Sequence, residues 1–173
     1  SPEMIRAVTQ KWNGDRDSRG RPLVPDDILE RMKLVTSEEA WGTCKRNGYS
    51  FQFAGDWMNL HPERVVVGRA VTCRWVPRRP DVHDSIDRQG EEDDRVGFQN
   101  SWVIDELETN DLIVVDLFGK VFNGTFAGDN LATAIKSRSG TGMVIDGGIR
   151  DTQRILEMDE FNAFIRGVDP SAI

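Results

Sequence analysis

The sequence predicts an α/β domain, and three observations carry that reading. Short apolar, β-branched runs recur at Val65–Cys73, Asp111–Leu117, Met143–Ile145 and Ala163–Gly167, each the length of a strand. A helical pattern, Leu131, Ala132, Ala134 and Ile135, separates the middle two. The turns that join them are glycine-marked, Gly128 ahead of the helix and Gly147-Gly148 at a strand exit, as strand–helix–strand units require.

The N-terminal part is read differently. Residues 1–25 are polar, broken by Gly14, Gly20, Pro22 and Pro25, with Trp12 as the one anchor, so they read as an extension that wraps a neighbour or stays loose. Pro25–Met32 starts a short helix whose acidic first turn suits the helix dipole. Thr36 to Glu39 has the spacing of a capping box and opens a helix expected to stop at Asn47-Gly48; Glu38 and Glu39 are read as capping and solvating it.

The remaining elements follow in order. Gly68 interrupts the Val65–Cys73 strand, where a bulge or a close backbone approach is expected. Arg74–Asn100, with Pro77, Pro80 and the acidic run Glu91–Asp94, reads as an inserted surface loop; its His83 and Asp84 lack paired metal-ligand spacing and read as solvated. Trp102–Leu107 is expected to be a short helix, and Phe118–Val121 a hairpin turn from the Asp111–Leu117 strand into Phe122–Phe126. A helix of one or two turns, Thr152–Met158, precedes the last strand.

Composition bounds the function. At 173 residues and 38% hydrophobic content the chain supports one domain with a core. A net charge of −7 argues against a nucleic-acid surface built on bulk charge. Two cysteines without a CxxC, no signal-like apolar segment and no run near the roughly 18 residues of a membrane helix make a reduced cytoplasmic setting the expectation. Neither GxxxxGK[ST], GxGxxG nor GxSxG occurs, so nucleotide binding and a serine nucleophile have no support.

Chemistry concentrates in Gly128–Asp151. Gly128-Asp129-Asn130-Leu131 opens a helix whose first N–H groups suit a carboxylate. Asp146-Gly147-Gly148-Ile149-Arg150-Asp151 leaves a strand end, where open α/β sheets place ligands. Arg150 offers a planar fork for a carboxylate, and Asp151 a hard oxygen ligand of the kind Mg²⁺ or Mn²⁺ prefers. On the residues alone, Asp129 and Asp151 are equally suited to capping the helices that follow them, and Arg150 to pairing with a nearby acid. Lys136 and Arg138 read as solvated, and Arg69 is left outside the site.

The segments Gly68-Arg69-Ala70-Val71-Thr72, Leu112–Asp116 and Asp146–Asp151 resemble the GxAVT, dViVvD and DGxxRD signatures of the RraA-like family of regulators of RNase E activity and 4-hydroxy-4-methyl-2-oxoglutarate aldolases. The resemblance covers roughly Leu34–Pro170. It implies a layered β/β/α, swivelling-domain-like single domain, with residues 1–33 as an extension, 34–173 as the domain, a surface insertion at about 77–98, and further strands after Ile173. It also implies Mg²⁺ or Mn²⁺ on Asp151, a 2-oxo acid held by Arg150 and the Gly128–Leu131 turn, and Asp129 acting through a water as base. The implied activity is metal-dependent aldol cleavage or oxaloacetate decarboxylation in a homotrimer or hexamer; inhibition of an RNA-degrading enzyme, or a related lyase reaction such as dehydration, stands as the alternative.

Overall fold

A computed structural model describes residues 1–171, and the chain divides into two compact units, Ser1–Tyr49 and Ser50–Ile173. The first is helical: α1 (Pro2–Val8), α2 (Asp26–Met32) and α3 (Ser37–Arg46). The predicted capping box is formed, with Glu39 N–H donating to Thr36 Oγ1 at 3.2 Å and Thr36 N–H to the Glu39 carboxylate at 3.0 Å. Residues 1–25, read as wrapping a neighbour or staying loose, are internally ordered by their own hydrogen bonds. Ser1 caps α1, and the Arg16 guanidinium donates to Thr9 O and Oγ1, both at 2.7 Å, and to Gly20 O at 2.8 Å. A planar group with five donors can close an irregular loop that composition alone marks as polar.

The second unit is the predicted α/β fold. Its elements are β1 (Met58–Asn59), β2 (Arg69–Arg74), α4 (Pro80–Glu92), α5 (Gln99–Asp105), β3 (Asp111–Thr125), α6 (Asp129–Ser139), β4 (Met143–Ile149), α7 (Thr152–Leu156) and β5 (Ala163–Val168). One sheet has the order β1-β5-β4-β3-β2, parallel throughout except for antiparallel β1 at its edge. Ile113, Val115, Ile145 and Ile165 share one pleat face and pack with Ile104 of α5, Ile135 of α6 and Ile155 of α7. Period-two burial on the strands meets period-3.6 burial on the helices, and that match makes the core.

Two expectations change here. Residues 80–92 form a helix, α4, where a loop is predicted: Pro80 takes the first helical turn, tolerated because its missing N–H would have no partner there, and His83 pairs with Asp87 at 3.0 Å across one turn. Half of the acidic run that suggests a loop, Asp93 and Asp94, lies past its end. The turn at Phe118-Gly119 exists, with φ of 56° and 71°, yet Phe122–Phe126 does not fold back as a hairpin partner. The chain stays with β4, Lys120 pairing with Gly147 and Thr125 with Gly148. Gly68 does mark a close approach, since a Cβ there would lie 2.8 Å from Leu112 Cβ and 3.0 Å from Asn110 O.

Asn162 joins β1 and its following loop to β5. Buried at 2% exposure, its Oδ1 accepts from His61 N at 2.9 Å and Ala163 N at 2.8 Å, while Nδ2 donates to His61 O at 2.9 Å and Arg64 O at 3.1 Å. Every polar atom of the amide is satisfied. Asn162→Ala strands these backbone groups and is expected to lower the unfolding free energy by about 2–3 kcal/mol. Urea unfolding measures it, and a negligible loss would mean that water replaces the amide.

Candidate functional site

The site follows from strand register. β3 and β4 are parallel neighbours, so their carboxyl ends lie side by side. Their pairing continues past the strands: Phe126 N donates to Gly148 O at 2.9 Å, and Arg150 N to Ala127 O at 3.0 Å. The next residues out, Gly128 on one side and Arg150-Asp151 on the other, are therefore forced together. A Cβ built on Gly128 would overlap Asp151 Oδ2 and come within 3.0 Å of Arg150 Nε. A larger residue would displace the Asp151 carboxylate from this position, although the Gly128 φ of −112° is ordinary.

Gly128 is the N-cap of α6, a well-delimited helix that ends at Gly140 in the left-handed region, φ 70°, with Lys136 and Arg138 in its last turn. Asp129 is thus the first helical residue and not the cap. Its Oδ1 accepts from Asn130 N at 2.9 Å, so one of the N–H donors expected to face a ligand is engaged by Asp129 itself. Leu131 packs against the core and offers the site only its backbone.

Asp151 occupies the N-cap position of α7 in the left-handed region, φ 57° and ψ 32°, and its side chain makes no capping hydrogen bond. That conformation is costly for a residue with a Cβ, although aspartate tolerates it better than most. Capping, the plain alternative for this residue, therefore does not account for it. Its carboxylate instead meets Arg150 Nε at 3.3 Å and remains 43% exposed.

Sequence reasoning missed Arg154. Its Nη1 donates to Asp129 Oδ2 at 2.8 Å, bridging α7 to α6. The guanidinium holds the Asp129 carboxyl below the usual aspartate range, a direction that the Asn130 N–H reinforces. Asp129 is thereby kept ionised. The available signal was position: residue 154 lies three after Asp151, one turn on and on the same side of α7.

Two arginines and two aspartates thus alternate around one glycine. No group of three or more His, Cys, Asp or Glu residues suited to a metal ion occurs among the described residues, so a cation here would rest on one carboxylate plus water and ligand oxygens. Magnesium is commonly held in that way. The exposed, uncapped Asp151 carboxylate fits it.

A family model, RraA-like, described as Aldolase/RraA, matches residues 38–172. The chain belongs to the RraA-like family. Among solved structures, RraAS2 of Streptomyces coelicolor, an unusual member of the RNase ES inhibitor RraA protein family, is 25% identical with a TM-score of 0.68, over 86% of this chain and 67% of that one. A protein from Pseudomonas syringae pv. tomato is 18% identical with a TM-score of 0.62, over 86% of this chain and 60% of its own. The RNA-processing inhibitor RraA from Thermus thermophilus is 17% identical with a TM-score of 0.50, over 75% and 68%. A comparison with curated proteins found no match. No helix among the described residues is long and apolar enough to cross a membrane.

Because the Asp129 pKa is depressed, stability from its pairing is complete above the ordinary aspartate range and is lost as pH falls through the depressed value. Arg154→Ala is expected to move the Asp129 titration upward, toward that of an ordinary aspartate. Carboxyl-carbon NMR reads the shift; an unmoved titration would show that another group holds the carboxylate.

Proposed function

We propose that this RraA-like protein is a divalent-metal-dependent lyase that releases pyruvate from a short 4-hydroxy-2-oxo acid or from oxaloacetate. The observation that carries the reading is the seating of Asp151 against Gly128. A carboxylate in a costly backbone conformation, not used as a cap, stands beside an arginine fork and a helix N-terminus.

Asp151 would hold Mg²⁺ or Mn²⁺, which when bound supplies Lewis-acid polarisation of a keto oxygen. Arg150 binds the substrate carboxylate through the nitrogens that Asp151 leaves unused, and the Gly128–Leu131 turn adds backbone N–H groups on the same side. Asp129, kept ionised by Arg154, accepts the proton of the 4-hydroxyl through a water. The bond between C3 and C4 of the substrate then breaks, its electron pair passing to the pyruvyl fragment as an enolate. A proton delivered to C3 completes pyruvate. Oxaloacetate yields the same enolate by losing carbon dioxide, with no hydroxyl proton to remove. The Asp129–Arg154 pair is therefore needed for aldol cleavage more than for decarboxylation. The resemblance further implies a homotrimer or hexamer as the working assembly.

A second reading is favoured by what the similar Streptomyces and Thermus structures are called: a regulator that binds and inhibits an RNA-degrading enzyme. An acidic chain of net charge −7 would compete with RNA for basic regions of such a partner.

Pyruvate release, coupled to lactate dehydrogenase and NADH, separates the two. Turnover of oxaloacetate or 4-hydroxy-4-methyl-2-oxoglutarate is expected with Mg²⁺ or Mn²⁺, and its loss with EDTA. Asp151→Ala and Arg150→Lys should each lower kcat/KM by about 100-fold or more. Asp129→Asn should depress aldol cleavage more than decarboxylation. A folded, metal-loaded protein that turns over neither acid would move the regulatory reading ahead.

A further inference from the structure

Helix α4 and the end of β2 line an open cleft of about 480 Å³ to which no site residue contributes. Its apolar walls are Cys73 and Trp75 from β2 and the residues beyond it, Val82 and Ile86 from α4, and Trp102 and Val103 from α5. Burial pushes the Cys73 thiol up, so it stays protonated and serves as lining. The volume lies within the range of small-molecule sites.

The walls are built for close contact. Gly90 sits inside α4, where glycine is less favourable than alanine, and a Cβ there would overlap the Trp102 ring. The indole therefore lies directly on the helix backbone. Its N–H is buried with no hydrogen-bond partner among the described residues, a condition that a bound acceptor or water relieves. Gln99 Nε2 donates to Asp87 Oδ1 at 2.9 Å and ties α5 to α4.

The lining is also cationic, although the chain is acidic. Arg74, Arg78, Arg79 and Arg95 face it against one acid, Glu106. Three of these arginines are matched: Arg74 by Asp116 at 2.7 Å, Arg79 by Asp81 at 2.7 Å and Arg95 by Glu106 at 2.8 Å. Arg78 has no acidic partner among the described residues.

We propose that this cleft binds a small amphipathic monoanion, an aromatic or branched apolar body carrying one carboxylate, with the body against Trp75 and Trp102 and the carboxylate on Arg78. Apolar walls alone would take any oily molecule; the one unmatched cation selects the anion. Because Gly128, Asp129, Arg150 and Asp151 do not line the cleft, the proposal holds whether or not the lyase reading does.

The test is calorimetric titration of the full chain with 3-phenylpropanoate, its neutral analogue 3-phenylpropan-1-ol, and propanoate. Saturable one-to-one binding of phenylpropanoate is expected, with the alcohol and propanoate each weaker by about tenfold or more. Arg78→Ala, an exposed position whose loss leaves the fold intact, should weaken phenylpropanoate alone to the level of the alcohol. Asp151→Ala should leave binding unchanged. Absence of saturable binding, equal affinity for the alcohol, or loss of binding in Asp151→Ala would each overturn the assignment, the last by placing the anion at the Gly128–Asp151 site.

Discussion

The parallel pairing of β3 with β4, carried two residues beyond β3 and one beyond β4, is the constraint on which the candidate site depends. Phe126 N to Gly148 O and Arg150 N to Ala127 O are ordinary ladder bonds, and both lie over a fully buried layer of Phe126, Ala127 and Ile149. They leave Gly128 and Asp151 no room to separate. The backbone thus brings the glycine beside the carboxylate, and the absence of a Cβ leaves room for the side chain where it lies. Functional geometry here is a consequence of main-chain hydrogen bonding more than of any side-chain contact.

On that frame the charges arrange themselves by reach. Arg150 extends to the adjacent Asp151, and Arg154 spans from α7 back to Asp129 on α6. Each aspartate has its own arginine, and Arg154 holds the Asp129 carboxyl below the usual aspartate range. A cluster paired in this way accepts a cation and an anion together more readily than either alone, because each new charge meets an opposite one. A chelating 2-oxo acid bound beside a divalent cation is such a pair.

Much of the fold was legible because its signals are local. The capping box of α3 and the β-branched strands β3, β4 and β5 rest on signals that act within a few residues, and they formed where the sequence placed them, whereas the strand expected over Val65–Cys73 begins only at Arg69. Misreadings arose where the deciding partner is distant. Arg74–Asn100 looked like a loop because its polar face dominates; the apolar positions Val82 and Ile86 are few, and the Trp102 ring that Gly90 receives comes from the next helix. The segment after Phe118 looked like a hairpin because its turn is real, whereas its ladder belongs to β4. Residues 1–25 looked loose because nothing in their composition announces that Arg16 will satisfy three backbone and hydroxyl acceptors.

The sequence by itself determined the α/β class, the strand–helix–strand unit and the candidates Gly128, Asp129, Arg150 and Asp151, since periodicity, glycine placement and motif spacing are properties of short segments. Tertiary structure decided which of those residues meet. That Asp151 abuts Gly128, that Asp129 is held by Arg154 and that α4 walls a cleft against β2 all depend on contacts between separate elements of the chain. Such contacts follow from register and packing, which no single segment encodes.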